Sequence, residues 1–191
     1  MIKMAAALTL GLALTASLGG TADATTTRAV DTVSVASAAT SAASTTKITV
    51  DGLGPYQAGA RAAALVHSGY LVRRTTGVCV VWYEPTEPYA PAVFNVQVRD
   101  GAVRSVGVSA RKYTTVAGAR VGMLESALKR TYGTGLRHLN GPGTEYDDGW
   151  TIRSGGRALV FLVHNDRVRW IVAGYRANAE GAVTNGEYYP C

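Results

Sequence analysis

The sequence predicts an α+β domain with a largely antiparallel sheet, organised as a tandem αβββ repeat. Two stretches resemble each other: Gly59-Ala60-Arg61-Ala62-Ala63-Ala64-Leu65 aligns with Gly122-Met123-Leu124-Glu125-Ser126-Ala127-Leu128, 63 residues later. Val98-Arg99-Asp100-Gly101-Ala102-Val103-Arg104 aligns with Val163-His164-Asn165-Asp166-Arg167-Val168-Arg169, 65 residues later, so one small gap reconciles the two offsets. In each copy a helical period precedes alternating runs that meet at a turn, the order expected of a helix packed on antiparallel strands. Two copies of this length make a duplicated module and not a solenoid of many short repeats.

The N-terminus carries an address. Met1-Ile2-Lys3 supplies one cation, Met4 to Leu18 is nearly unbroken Ala, Leu and Thr, and Ala22-Asp23-Ala24 is a small-x-small site. These are the three parts of a secretory signal, so residues 1–24 are expected to direct export and to be cleaved near Ala24. The apolar run is short of the ~20 residues a bilayer span needs, and no second one follows. Residues 25–46 are Thr, Ser, Ala and Val without an aromatic residue to bury, which predicts a flexible leader or a wall-spanning spacer. The folded part is expected at 47–191: repeats at about 48–112 and 113–176, then a C-terminal tail.

Each repeat opens with a helix. In the second, Leu124, Ala127, Leu128 and Tyr132 lie on one face, Lys129 and Arg130 suit its carbonyl end, and Gly133 stops it. In the first, Ala62 to Val66 does the same and Gly69 ends it. Val78 to Tyr83 is β-branched and aromatic and reads as a strand closed by Pro85 and Pro88. Phe94, Val96 and Val98 alternate with polar residues up to Asp100-Gly101, a type I′ hairpin signal. That turn sets Val98 against Val103 and Gln97 against Arg104. The second hairpin turns at Asn165-Asp166, with Phe161 expected opposite Trp170, Val160, Leu162 and Ile171 on its other face, and Trp150 to Arg153 as the strand before it.

Composition narrows the function classes. Apolar residues make up 47% of the 191 and charged residues 17%, so the chain can fill a core and is not disordered throughout. Lys and Arg number 19 against 13 acids, a net +6, and 15 of those 19 are Arg. Two Cys and three His exclude a zinc-finger or multi-disulfide framework. In an exported protein, Cys79 and Cys191 are expected to join as a disulfide. Closing a loop of about a hundred residues is worth roughly 4–5 kcal/mol in the chain-entropy model. That bond would pin the tail from Asn178 to Pro190 across the first repeat.

Candidate chemistry is sparse. Ser-x-x-Lys occurs at Ser44, Ser109 and Ser126, but the companion boxes of a penicillin-binding enzyme do not follow. His67, His138 and His164 have no metal-ligand spacing, and no nucleophile elbow is present. Glu145, Asp147 and Asp148 could hold calcium or act as acid and base at a glycosidic bond; Asp148-Gly149 reads equally as a turn. No catalytic residue, cofactor or metal is therefore assigned. Arg99, Arg104, Arg153, Arg157, Arg167 and Arg169 belong to hairpin strands or turns. They read first as a solvated rim that keeps an Arg-rich secreted protein soluble, and aligned on one face they would suit an acidic partner protein or an anionic wall polymer. The candidate binding surface is Arg104, Arg153 and Arg169 with Trp82, Tyr83, Tyr146 and Trp150, although aromatic residues serve cores and contacts alike. Nucleic-acid binding would want aromatics interleaved on the basic face, and export argues against it.

The helix-then-strands order over about residues 48–175, with Arg120-Val121-Gly122-Met123 entering the second helix, resembles the secreted β-lactamase-inhibitor-protein type of domain. It is also similar to the smaller outer-membrane assembly lipoproteins of bacteria. The resemblance implies the tandem fold and, as one version of a binding role, inhibition of a secreted hydrolase. The expected function is a secreted, monomeric, non-catalytic binding module. The rival is a small envelope hydrolase using Glu145, Asp147 or Asp148.

Overall fold

Both hairpin turns marked by the sequence are type I′ in the computed structural model, which describes residues 46–75, 82–140 and 148–184. Asp100 and Gly101 have φ of 53° and 71°, and Asn165 and Asp166 have 50° and 59°. Two successive positive φ values match the right-handed twist of the strands they join. In chain order the elements begin with β1 (Ile48–Thr49), β2 (Gly52–Leu53), β3 (Tyr56–Gln57), α1 (Ala62–His67), β4 (Leu71–Arg74) and β5 (Trp82–Pro85). Then come β6 (Val93–Arg99), β7 (Ala102–Val108), α2 (Glu125–Tyr132), β8 (Arg137–Leu139) and β9 (Asp148–Ser154). β10 (Arg157–His164), β11 (Arg167–Tyr175) and α3 (Arg176–Thr184) are the last of the described elements.

The fold is α+β. Six strands form one antiparallel sheet in the order β6-β7-β11-β10-β9-β8. β7 and β11, which are distant in sequence, meet in its middle, where Ser105–Val108 pairs with Ile171–Gly174. β4 and β5 form a separate ribbon, and β1, β2 and β3 a small sheet of their own.

Several expectations are corrected. Among the described residues four strands, not three, follow each of α1 and α2, because the short cationic segments Leu71–Arg74 and Arg137–Leu139 also pair. Both are too short and too charged to alternate visibly. Gln97 faces Ser105 and not Arg104, because the β6–β7 register shifts between Gln97 and Val98. Phe161 faces Ile171, and Leu162 faces Trp170, because β10–β11 shifts between Leu162 and Val163. Ile171 therefore shares the Phe161 face. Leu124 caps α2 and is 44% exposed instead of buried on the helix face. The tail begins as α3, whose small residues let it lie on the sheet. The signal, the leader, Cys79, Cys191 and the chain beyond Thr184 lie outside the described residues.

The stretches that align in sequence are held by matching bonds. Gly59 N–H donates to the Val103 carbonyl at 2.8 Å, and Gly122 N–H to that of Val168 at 2.7 Å. Val103 N–H donates to Ala60 and Val168 N–H to Met123, both at 2.9 Å. Ala62 N–H reaches the Gly101 carbonyl and Glu125 N–H that of Asp166, again at 2.9 Å. In both halves the start of the helix is thus stitched to its hairpin.

Each face of the large sheet is apolar and each is covered. On one, Val96, Val106, Phe161 and Ile171 pack with Leu65 of α1, Leu128 of α2 and Ile48, Leu53 and Tyr56 of the small sheet. On the other, Val160, Leu162 and Val172 pack under Ala179, Ala182 and Val183 of α3. Removing both faces from water is the main term that holds the domain together. Among the described residues no helix is long and apolar enough to cross a membrane.

Tyr56 has no exposed surface, and its hydroxyl donates to the Tyr70 carbonyl at 2.8 Å. Burial pushes its pKa from 10.0 up to about 12. Burial also raises Tyr132, against the hydrogen bond from its hydroxyl to Thr115. Below pH 10 the Tyr56 phenol is neutral in folded and unfolded chains alike. Between pH 10 and 12 only the unfolded chain releases the proton, so stability falls as pH rises through that window. Tyr56→Phe is expected to flatten part of that fall in urea midpoints followed across the same pH range; an unchanged slope would show that Tyr56 does not contribute to it.

Candidate functional site

The structure disperses the arginines and aromatics that the sequence nominates. Arg104 bonds Asp100 at 2.9 Å and lies 5.4 Å from the Tyr175 ring. Arg153 forks onto Glu180 of α3 at 2.6 and 2.9 Å, and that carboxylate also accepts from Thr151 at 3.1 Å. The Glu180 bond raises the Arg153 guanidinium above its ordinary pKa. Arg157 reaches Asp51 and the Ala58 carbonyl, both at 3.1 Å, and stacks 3.6 Å from Tyr175. These side chains hold elements together. Tyr83 and Trp150 pack against the main core, with Lys129 4.4 Å from the Trp150 ring and His138 at 4.8 Å. Trp82 opens β5 and Asp148 opens β9, described by backbone alone. Glu145, Tyr146 and Asp147 lie outside the described residues.

Arg169 is different. The register shift in β10–β11 leaves it with no cross-strand partner, between Val168 paired to Val163 and Trp170 paired to Leu162. A bulge of this kind re-aims a side chain, and here it turns Arg169 into a cleft beside the hairpin turn. The cleft has a volume of about 450 Å³, and Arg111, Arg167, Arg169, Ser109, Gly122 and Trp170 line it. Arg167 donates to the Gly122 carbonyl at 3.0 Å, which fixes one wall. Arg111 lies across Gly122, where a Cβ would stand 2.9 Å from its Nε, so the missing side chain makes room for the guanidinium. At one end Trp170 packs on Phe94, with ring centroids 4.7 Å apart.

A second hollow, of about 340 Å³, shares Arg111, Val121 and Gly122 with the first and adds Lys112 and Arg120. The segment between Ser109 and Gly122 is tied in place from both sides. Thr115 N–H donates to Ala119 O at 2.8 Å, Ala119 N–H to the Thr115 hydroxyl at 2.9 Å, and Ile48 N–H to the Thr114 carbonyl at 2.9 Å. The Gly122–Val168 bond then fastens its end to the hairpin. Among the described residues, no carboxylate forms an ion pair with Arg111, Lys112, Arg120, Arg167 or Arg169. Like charges at close range repel, so this assembly favours an anion entering between them.

Of these five cations, only Arg167 and Arg169 figure among the hairpin arginines picked out by sequence. The segment Ser109-Ala110-Arg111-Lys112-Tyr113-Thr114-Thr115-Val116-Ala117-Gly118-Ala119-Arg120-Val121 carries three cations and no acid. That imbalance was the available signal, and it falls in the join between the two aligned stretches. Ser126 and Lys129 do sit on α2, but Lys129 bonds Glu125 at 2.5 Å. Among the described residues, no group of three or more His, Cys, Asp and Glu could hold a metal ion. Comparison with protein-family models, with curated proteins and with solved structures finds no match.

Proposed function

We propose that this chain is an exported, non-catalytic binding module that captures an acidic partner through the cleft between the β10–β11 hairpin and the Ser109–Gly122 segment. The observation that carries this is the convergence of Arg111, Arg167 and Arg169 in one cleft without a carboxylate partner among the described residues. Arg74, Arg104, Arg153 and Arg157 are by contrast all paired with acids. Where those four are neutralised locally, cations gathered in one cleft and left open keep a field that steers and holds an anion. Export rests on the Met1–Ala24 pattern, and with it goes the pairing of Cys79 with Cys191. The matching bonds at Gly59 and Gly122, 63 residues apart, support descent of the two halves from one duplicated unit. That origin fits the β-lactamase-inhibitor-protein resemblance, in which the partner is a secreted hydrolase.

The test uses the exported chain, residues 25–191, in three forms. Arg111→Ala combined with Arg169→Ala is expected to abolish capture of acidic partners from an envelope fraction while the melting curve stays cooperative. The Glu145, Asp147 and Asp148 triple alanine variant is expected to capture like the parent. Hydrolysis of a peptidoglycan or glycan panel by the parent but not by the triple variant would replace the binding reading with the hydrolase.

A further inference from the structure

Resting on the reading of the cleft as the binding site, we infer that its ligand is a chain of phosphodiester units, seated with successive phosphates in the two joined hollows. The first hollow presents Arg111, Arg167 and Arg169; the second presents Arg111, Lys112 and Arg120. Arg111, Val121 and Gly122 belong to both, so the hollows form one continuous basic track and not two separate ion sites. A single small anion would fill one end and leave the other cations unmatched. A chain with a charge on every unit matches both.

The donor inventory selects phosphate over carboxylate. Each guanidinium offers five N–H donors, of which Arg167 commits one to the Gly122 carbonyl. A carboxylate presents its two oxygens in one plane and is largely satisfied by one guanidinium fork, whereas the two charged oxygens of a phosphodiester sit on a tetrahedral phosphorus and accept around a cone, so forks can approach them from different sides. Arg111 comes from the segment after β7, and Arg167 and Arg169 from β11, so their guanidinium groups enter the hollow from separate elements. The lining also separates a base-free chain from a nucleic acid. Trp170 and His164 are the aromatic side chains lining the first hollow among the described residues, Phe94 already packs on Trp170, and no ring lines the second hollow. Single-stranded nucleic acid is held by a row of exposed rings on which successive bases stack. Here the charges form the track and the rings do not.

The experiment titrates the exported chain by calorimetry with four probes: a poly(glycerol phosphate) oligomer, polyglutamate of equal charge, inorganic phosphate and a single-stranded DNA oligomer. The glycerol phosphate chain is expected to bind at least about ten-fold more tightly than polyglutamate, and to weaken steeply between about 50 and 200 mM salt as bound counterions are released. Inorganic phosphate is expected to compete only weakly. Arg111→Ala with Arg169→Ala should cost about ten-fold or more and lower the salt slope by about two, while Arg137→Ala on exposed β8 leaves both within two-fold. Neither Arg111 nor Arg169 holds another element in place, so both variants are expected to fold, as a melting curve checks. Equal or tighter binding of polyglutamate overturns the phosphate assignment and leaves the cleft reading standing. Tighter binding of DNA overturns it in favour of a nucleic acid. Equal binding of the glycerol phosphate chain by parent and double variant removes the cleft itself. If no probe binds, the phosphate assignment falls, and the capture experiment alone decides the cleft.

Discussion

Gly174→Ala is expected to cost about 3 kcal/mol or more of folding stability, from backbone strain of about 1–3 kcal/mol and overpacking of similar size. Gly174 has φ of 146°, a conformation that L side chains rarely adopt. A Cβ there would stand 2.3 Å from the Arg104 carbonyl oxygen and 2.7 Å from the Ser105 Cα. Both obstacles are backbone, so neither can swing aside as the end of a long side chain would. The residue pairs with Ser105 at the place where β11 meets β7, the ladder that joins the two runs of strands in the six-stranded sheet. Forcing it open also displaces Tyr175, which carries Arg157 at 3.6 Å and through it the contacts to Asp51 and Ala58. Against a total stability of about 5–15 kcal/mol this is a large fraction, and a fall in Tm of roughly ten degrees is expected. Urea unfolding measures it directly. A loss below about 0.5 kcal/mol, the range of an unconstrained surface change, would mean that the seam yields.

Phe161→Ala is the second large effect, expected at about 3–5 kcal/mol. Phe161 is 0% exposed and sits on β10, between Trp150 of β9 and Ile171 of β11. Its ring lies 5.4 Å from that of Tyr132, so it joins α2 to the sheet. Deleting it removes a large apolar contact and leaves a cavity that strands paired on both sides cannot collapse to fill. Phe94, the only other phenylalanine, is 37% exposed at the edge strand, and its replacement by alanine is expected to cost less. Midpoints for the two variants in one urea series make the comparison. Equal losses would show that the Phe161 site relaxes far more than its neighbours suggest.

How much was legible in the sequence varies element by element. The Asp100-Gly101 and Asn165-Asp166 turns were, because a type I′ turn needs φ > 0 twice and few residue pairs accept it. α1 and α2 were, through their apolar spacing and the glycines beyond their ends. The register of the strands was not. A bulge moves the pairing by one residue, and that is enough to exchange Trp170 for Ile171 opposite Phe161. α3 escaped because Ala179, Gly181, Ala182 and Val183 become an apolar face only when a sheet lies beneath them. The cleft was half legible. Arg167 and Arg169 stood out as hairpin arginines, whereas Arg111, Lys112 and Arg120 lay in a stretch that read as a join.

By itself the sequence determined the local structure of this protein: the α+β class, two helices, two tight hairpins and the strands that flank them. Each depends on residues within a few positions of one another, whose backbone preferences and apolar spacing act before any distant contact forms. Tertiary structure alone decided that β7 and β11 meet at the centre of the sheet. It also decided that α3 closes the second face, and that cations from Arg111 to Arg169 open into one cleft. Those outcomes follow from covering both apolar faces at once, a condition on the whole chain that no single window of residues contains.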